Sequence, residues 1–432
     1  VKMRKNIKKR IIIVLAFSVI ACESSNLHRS SFDFDRLSRI DAVIEESIKN
    51  HEIPGAVGLV IHDGDVVYHK SFGFSDVDLQ KPMQPDSIFR IASMTKAITT
   101  VGVMILYEKG EFLLSDSISD YIPEFKNPMV VTKVDDEGSV SETRSANREI
   151  QIIDLLTHTS GIGYPFIPSK LSKTYSIAGV VDGITEGAIL LKDNIINLAN
   201  QPLLFDPGSS YAYGLNADVL GYLIEVVSGK PLDVFFREEI FKPLGMRDTY
   251  FYLPKAKESR LVTLYADKDG SGIKVLKGRV NESRIYSDGG MQLIPDNPNY
   301  PYQGARMMFS GGAGLSSTAF DYARFLLMLL NNGQLEDYKI ISRKSVELMR
   351  TSRVDWDNDG DTDFGLGFRV IDHLKEHPEL SSSGSYAWGG AFYTSFWLDP
   401  EEDLIGLFLS QVRPVRSDVA AKFSVLVYQA LE

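Results

Sequence analysis

The chain has 432 residues, 44% hydrophobic and 24% charged, an ordinary globular composition with enough apolar side chains for a large core and one or two domains. A formal net charge of −11 argues against nucleic acid and against anionic membrane as electrostatic partners. One cysteine, Cys22, excludes an internal disulfide framework and a cysteine-based zinc site.

Residues 1–21 read as an export signal that takes no part in the fold. Lys2, Arg4, Lys5, Lys8, Lys9 and Arg10 form its basic region, Ile11 to Ile20 its apolar run, and the small Ala21 precedes Cys22. Val19-Ile20-Ala21-Cys22 resembles a bacterial lipobox, which implies that Cys22 is lipidated and anchors the chain in the cell envelope. Loss of the signal's six cations moves the formal charge to −17, so membrane contact is expected through the lipid alone. Residues 22–31 are polar and read as a tether, with the catalytic domain spanning 32–432.

Leu37, Ile40, Val43, Ile44 and Ile48 mark a helix over 34–50. Ala56–His62 and Val66–Lys70 read as strands around the turn Asp63-Gly64-Asp65. A helix follows from Ser93, closed by Lys109-Gly110, and apolar on most of its faces. Residues 127–150 are polar and are expected to be irregular. Further helices are predicted over 194–200, over Asn216–Ser228 with Gly229 just past its end, and over Phe320–Leu330. Asp206-Pro207-Gly208 is a turn, and residues 255–305 are rich in loops and hairpins. Strands are expected at Gly365–Ile371, Ser385–Trp388, Tyr393–Leu398 and Leu404–Ser410, then a last helix over about Arg416–Leu431. Strands at both ends with helices between predict an α+β fold: an antiparallel sheet flanked by helices, split by a mostly helical, loop-rich insertion over about 115–305.

Chemistry is concentrated at the start of the Ser93 helix. Ser93 and Lys96 are three apart, hence on one face and one turn from each other. Both sit in the first turn, where unpaired N–H groups favour a developing negative charge. An apolar setting favours a neutral lysine amine that can take a proton, and a serine beside it can become a nucleophile. A second Ser-x-x-Lys, Ser271 to Lys274, lies among glycines without helical periodicity and reads as a turn. No Gly-x-Ser-x-Gly elbow occurs. His373-Leu374-Lys375-Glu376-His377 matches a zinc-peptidase pattern, but Pro378 stops any long helix, so it reads as a solvated link.

Asp355-Trp356-Asp357-Asn358-Asp359-Gly360-Asp361-Thr362-Asp363 follows calcium-loop spacing. Carboxylates stand at positions 1, 3, 5, 7 and 9, with glycine at 6, while position 12 is Leu366 instead of glutamate. A structural calcium on Asp355, Asp357, Asp359, Asp361 and Asp363 is one reading, and a solvated acidic loop is the other. No cofactor is required by the expected chemistry.

Several segments together resemble the penicillin-recognising serine hydrolases: class C β-lactamases, D-alanyl-D-alanine carboxypeptidases and family VIII carboxylesterases. They are Phe89 to Lys96, Leu155-Leu156-Thr157-His158-Thr159-Ser160-Gly161, Pro207 to Tyr213, Gly311 to Thr318, and Trp388-Gly389-Gly390. The resemblance runs from about residue 36 to the end. It implies that Tyr213, the tyrosine of a Tyr-x-Asn motif, handles the proton beside Ser93 and Lys96, and that Tyr211 is a packing aromatic. It implies further that Trp388-Gly389-Gly390 occupies the place of the family's Lys-Thr-Gly or His-x-Gly, with the Ser93 and Ala391 N–H groups as oxyanion donors.

Two departures bear on substrate. Leu215 stands where the motif's asparagine belongs, with Asn216 beside it, and Trp388 replaces a cationic or histidine side chain. Those polar groups hold the acyl amide and carboxylate of a β-lactam or peptide in the family. Their replacement leaves acyl transfer intact in a more apolar pocket, which points to carboxylic esters. The alternatives are a β-lactamase or cell-wall D,D-peptidase, and a lipid-tethered binding protein without turnover.

Overall fold

The structure, a computed structural model, describes residues 32–135, 138–266, 274–275, 300–356, 363–371 and 379–432. Cys22 and the rest of the signal and tether, Ser271 of the second Ser-x-x-Lys, His373 and His377, and Asp357, Asp359 and Asp361 lie outside the described residues.

Seven strands form one sheet. Three come from the N-terminal part: β1 (Gly55–His62), β2 (Asp65–Asp76) and β3 (Lys81–Pro82). Four come from the C-terminal part: β4 (Arg369–Val370), β5 (Tyr386–Gly390), β6 (Thr394–Asp399) and β7 (Leu404–Leu409). The order is β4-β5-β6-β7-β1-β2-β3, with every neighbouring pair antiparallel. β1 and β7 are central and buried along their whole length, which is why both read as unbroken apolar runs.

Alternation of side chains sends successive residues to opposite faces. Ala56, Val60, Trp397, Leu404 and Phe408 pack under two terminal helices, α1 (Arg39–Lys49) and α5 (Val419–Tyr428), against Ile40, Ile44, Val419 and Phe423. Val57, Leu59, Phe396, Leu407 and Leu409 face the larger core of the helical body. Its central members are α2 (Thr95–Glu108), α3 (Asn216–Ser228) and α4 (Ala319–Leu330). Every residue of α2 from Thr95 to Leu106 is buried, so the helix has no solvent face and its lysine sits inside the protein. Gly102 lets α3 come close: a methyl there would lie 2.9 Å from Ile224 Cδ1. Among the described residues no helix is long and apolar enough to cross a membrane.

Three expectations are corrected. Residues 127–150 are not irregular: Met129–Val134 and Val140–Ser145 form an antiparallel hairpin, anchored by buried Val130 and Val131. Its other residues are polar because most of the hairpin faces water. The strand expected at Gly365–Ile371 is paired only at Arg369–Val370. Phe364, Leu366 and Phe368 are fully buried, but Gly367 takes a left-handed φ of 77° and donates its N–H to Leu156 O, outside the ladder. Residues 34–50 are two helices: Phe34–Leu37, capped by the Asp33 carboxylate, is followed by α1 after Ser38.

Candidate active site

Ser93 lies in the single 3-10 turn Ala92–Met94 that leads into α2. The preceding segment is clamped: Phe89 and Arg90 pair with Ser317 and Ser316, and Ile91 N–H donates to Leu315 O at 3.0 Å. Ala92 then adopts φ 42°, a left-handed conformation that costs an alanine about 1–3 kcal/mol. Its methyl is held in a small apolar cluster with Ile184, Leu264, Tyr300, Ala313 and Phe392. The sharp turn this creates presents Ser93 to a cavity of about 840 Å³.

Lys96 is only 2% exposed. Its Nζ donates to Ser93 Oγ at 3.2 Å, Tyr164 Oη at 3.0 Å and Gly312 O at 2.8 Å. Three oxygen partners leave no part of the amine unsatisfied, which is what makes burial of the lysine tolerable. Tyr213 Oη donates to Ser93 Oγ at 2.8 Å, and its ring stands 4.7 Å from Lys96 Nζ. The structure thus brings Ser93, Lys96 and Tyr213 together, with each of the latter two in direct contact with the serine oxygen.

Tyr164 was not singled out in the sequence. It follows Gly161-Ile162-Gly163, just past the Thr-His-Thr-Ser-Gly segment, and only the fold carries it to the lysine. Burial, reinforced by Tyr213 and Asp218, pushes its hydroxyl well above the ordinary tyrosine value. Tyr164 therefore stays a neutral phenol and serves Lys96 as an acceptor.

Trp388, Gly389 and Ala391 line the same cavity as Ser93. Trp388 is half-buried, 5.8 Å from the Tyr213 ring and 5.4 Å from Phe364, with Trp356 next to it at 6.2 Å. This aromatic wall stands where the resemblance leads to the expectation of a polar side chain. Gly390 faces inward instead. A methyl on it would fall inside van der Waals contact of Ile91 O, two residues before Ser93. Glycine here lets the end of β5 close on the serine turn.

Two residues near Tyr213 sit differently from expectation. Leu215 is fully buried in the main core and is not on the cavity wall, so it does not touch a substrate. Asn216 does not substitute for the missing asparagine. It is fully buried, donating Nδ2 to His158 Nδ1 at 2.8 Å and accepting from Ser160 Oγ. That bond assigns the His158 proton to Nε2. Burial, with Lys96 nearby, pushes the His158 imidazole well below its ordinary value, so it is neutral. Tyr211 packs edge-on against His158 and Phe364 and also lines the cavity.

Of the acidic loop, Asp355 and Asp363 are described. Asp363 accepts from the Trp356 backbone N–H at 3.4 Å and from its indole N–H, which fixes the Trp356 ring at the cavity wall.

Comparison with known proteins agrees with this fold. The family model described as beta-lactamase matches residues 40–429. Protein Rv1367c of Mycobacterium tuberculosis is 33% identical over 386 residues, covering 85% of this chain and 88% of that protein. Esterase EstB of Burkholderia gladioli is 29% identical, covering 90% and 94%. Among solved structures, EstCE1, a hydrolase with promiscuous acyltransferase activity, superposes with a TM-score of 0.79 at 26% identity, covering 91% of this chain and 99% of that one. With the match running from the first helix under the sheet to the last, this chain belongs to the beta-lactamase family.

Proposed function

We propose that the protein is a serine hydrolase that cleaves carboxylic esters through an acyl-enzyme on Ser93. One observation carries the reading: Ser93 Oγ is contacted by both Tyr213 Oη and Lys96 Nζ, at the wall of a cavity that Trp388 also lines. The likeness to EstB and EstCE1 supports it.

In the first half-reaction Ser93 Oγ bonds to the ester carbonyl carbon while its proton passes into the Tyr213–Lys96 pair, which enters the step one proton short of full protonation. The Ser93 and Ala391 N–H groups hold the oxyanion. Collapse breaks the bond to the alcohol, which leaves with the proton through Tyr213. Water then gives its proton to the same pair, its oxygen bonds to the acyl carbon, and the carboxylic acid departs as Ser93 regains its hydrogen. Tyr164 and Gly312 O hold Lys96 in place throughout.

A second reading, β-lactam or D,D-peptide cleavage, draws on a cation at the same cavity wall, Arg413, which also interacts with Asp182. A panel of short p-nitrophenyl esters, nitrocefin and a D-Ala-D-Ala peptide separates the two. Ester turnover that disappears in Ser93→Ala is the expected outcome, and turnover confined to nitrocefin or the peptide would replace the first reading with the second.

We propose also that Cys22 is the lipidated mature N-terminus, motivated by the basic region, apolar run and Ala21 before it. Detergent partitioning lost in Cys22→Ser is expected, and unchanged partitioning would rule lipidation out. For the Asp355–Asp363 loop we propose a structural calcium with no part in the chemistry. Calorimetry without heat at millimolar calcium would dismiss it.

A further inference from the structure

Behind Lys96, on the side away from the cavity, lies a carboxylate that the chemistry above does not use. Asp218 is in the first turn of α3, five residues after Tyr213, fully buried and not on the cavity wall. It makes no direct ion pair with Lys96. Its Oδ1 accepts from Ser310 Oγ and, at 3.4 Å, from Gly312 N–H. Its Oδ2 has no hydrogen-bond partner among the described residues.

Ser310 in turn accepts from Ala313 N–H at 3.0 Å. That N–H belongs to the peptide whose carbonyl is Gly312 O, the acceptor of Lys96 at 2.8 Å. The order is continuous: Lys96 N–H to Gly312 C=O, through the peptide to Ala313 N–H, to Ser310 O–H, to the Asp218 carboxylate. Every dipole in the chain points the same way, so a negative charge at Asp218 makes Gly312 O a better acceptor for the lysine. Gly312 must be glycine for this approach, because a methyl on it would fall inside contact distance of Asp218 Oδ2.

We infer that Asp218 is a positioning residue that holds the Lys96 proton through the Ser310–Gly312–Ala313 relay. The inference rests on the reading of Lys96 as part of the proton-handling pair. The function of such a group is to keep the buried amine aimed at Ser93 and to strengthen its hold on a proton without a carboxylate directly beside it. Burial raises the Asp218 carboxyl to about 6, so the relay carries its full charge only above that pH. The other ionisable groups facing the two ends are Tyr164, Tyr213 and His158 around Lys96, and Asp182, Tyr164 and Tyr300 around Asp218.

The test is the pH profile of kcat/KM on p-nitrophenyl acetate for the full chain. Asp218→Asn keeps the shape and an acceptor oxygen but removes the charge. One limb of the wild-type profile should move to lower pH by about half a unit or more, because loss of the charge weakens Gly312 O as an acceptor for the amine. Ser310→Ala cuts the relay while leaving the carboxylate, and should move the same limb in the same direction by less. A uniform drop in rate with both limbs unmoved in Ser310→Ala and Asp218→Asn would overturn the inference, since a purely structural role lowers rate without moving a limb. If Asp218→Asn does not fold, the Ser310→Ala profile alone decides. Wild type that turns over no ester, or whose rate survives Lys96→Ala, would instead overturn the reading of Lys96 and the inference with it.

Discussion

Ser93, Lys96 and Tyr213 form a unit in which the serine oxygen is shared by two donors. Ser93→Ala should lower kcat on a short ester by about 10⁴-fold or more, as loss of a nucleophile does. Tyr213→Phe should lower it by about 10²- to 10⁴-fold, the range of a general acid–base group, with an unchanged melting temperature. Lys96→Ala should be nearly as damaging as loss of the serine, and also less stable, because Tyr164 Oη and Gly312 O each lose a buried donor worth about 1–3 kcal/mol. Steady-state kinetics and thermal melts check all three. His158 gives a separate prediction. Its imidazole is held neutral by burial, so its native pKa is depressed, and below the unfolded value near 6.5 the unfolded chain binds one more proton. The stability due to neutral His158 is complete above that pH and lost as pH falls. Relative to His158→Gln, wild type should lose about 1.4 kcal/mol per pH unit below 6.5, and parallel denaturation curves at pH 7.5 and 5.5 would refute this.

At the scale of elements, the decisive contact is the end of β5 against the turn before α2. β5 is held to β6 by the register Trp388↔Phe396 and Gly390↔Thr394. Gly390→Ala would force β5 away from Ile91 O, an overpacking that costs about 1–3 kcal/mol. The same shift separates Ala391 from Ser93, so kcat should fall while substrate KM changes little. Retained wild-type kcat in a folded Gly390→Ala protein would show that the strand end does not set the oxyanion site. Gly389→Ala should be milder, because the nearest atom to its new methyl is Thr394 O at 3.1 Å. Much of this was legible: the strands at both ends, the buried α2 and the glycines after Trp388 follow from apolar runs and turn residues. The hairpin at Met129–Ser145 was not, because a mostly exposed ribbon carries no core-facing alternation to read.

The whole molecule decides substrate class through the cavity. An ester needs the nucleophile, a proton shuttle and two oxyanion donors. A β-lactam adds an amide and a carboxylate. Trp388 supplies no cation to the carboxylate, Arg413 on the same wall already interacts with Asp182, and neither buried Leu215 nor Asn216, turned toward His158, reaches the cavity with an amide. Each group left unpaired costs about 1–3 kcal/mol. Two such losses are worth roughly 30- to 10⁴-fold in transition-state binding, so kcat/KM for p-nitrophenyl acetate should exceed that for nitrocefin by about that factor. Trp388→Lys should recover part of the nitrocefin rate. Equal wild-type rates on the two substrates would contradict the pocket argument.

Sequence alone determined what depends on neighbours along the chain. Ser93 and Lys96 meet because residues three apart fall on one side of a helical turn, 3-10 or α. Tyr213 followed from the resemblance to a known family's motif, and α3 from an apolar stripe ended by Gly229. The sheet's two buried central strands were legible as apolar runs. Tertiary structure decided everything that depends on which way a side chain turns between distant segments. Tyr164 reaches Lys96 across 68 positions, and Gly312 across 216. Leu215 and Asn216 face away from the cavity because α3 begins there and its first turn is packed into the core. Asp218 lies behind the lysine because α3 runs against α2, a relation set by the packing of two helices that no local spacing encodes.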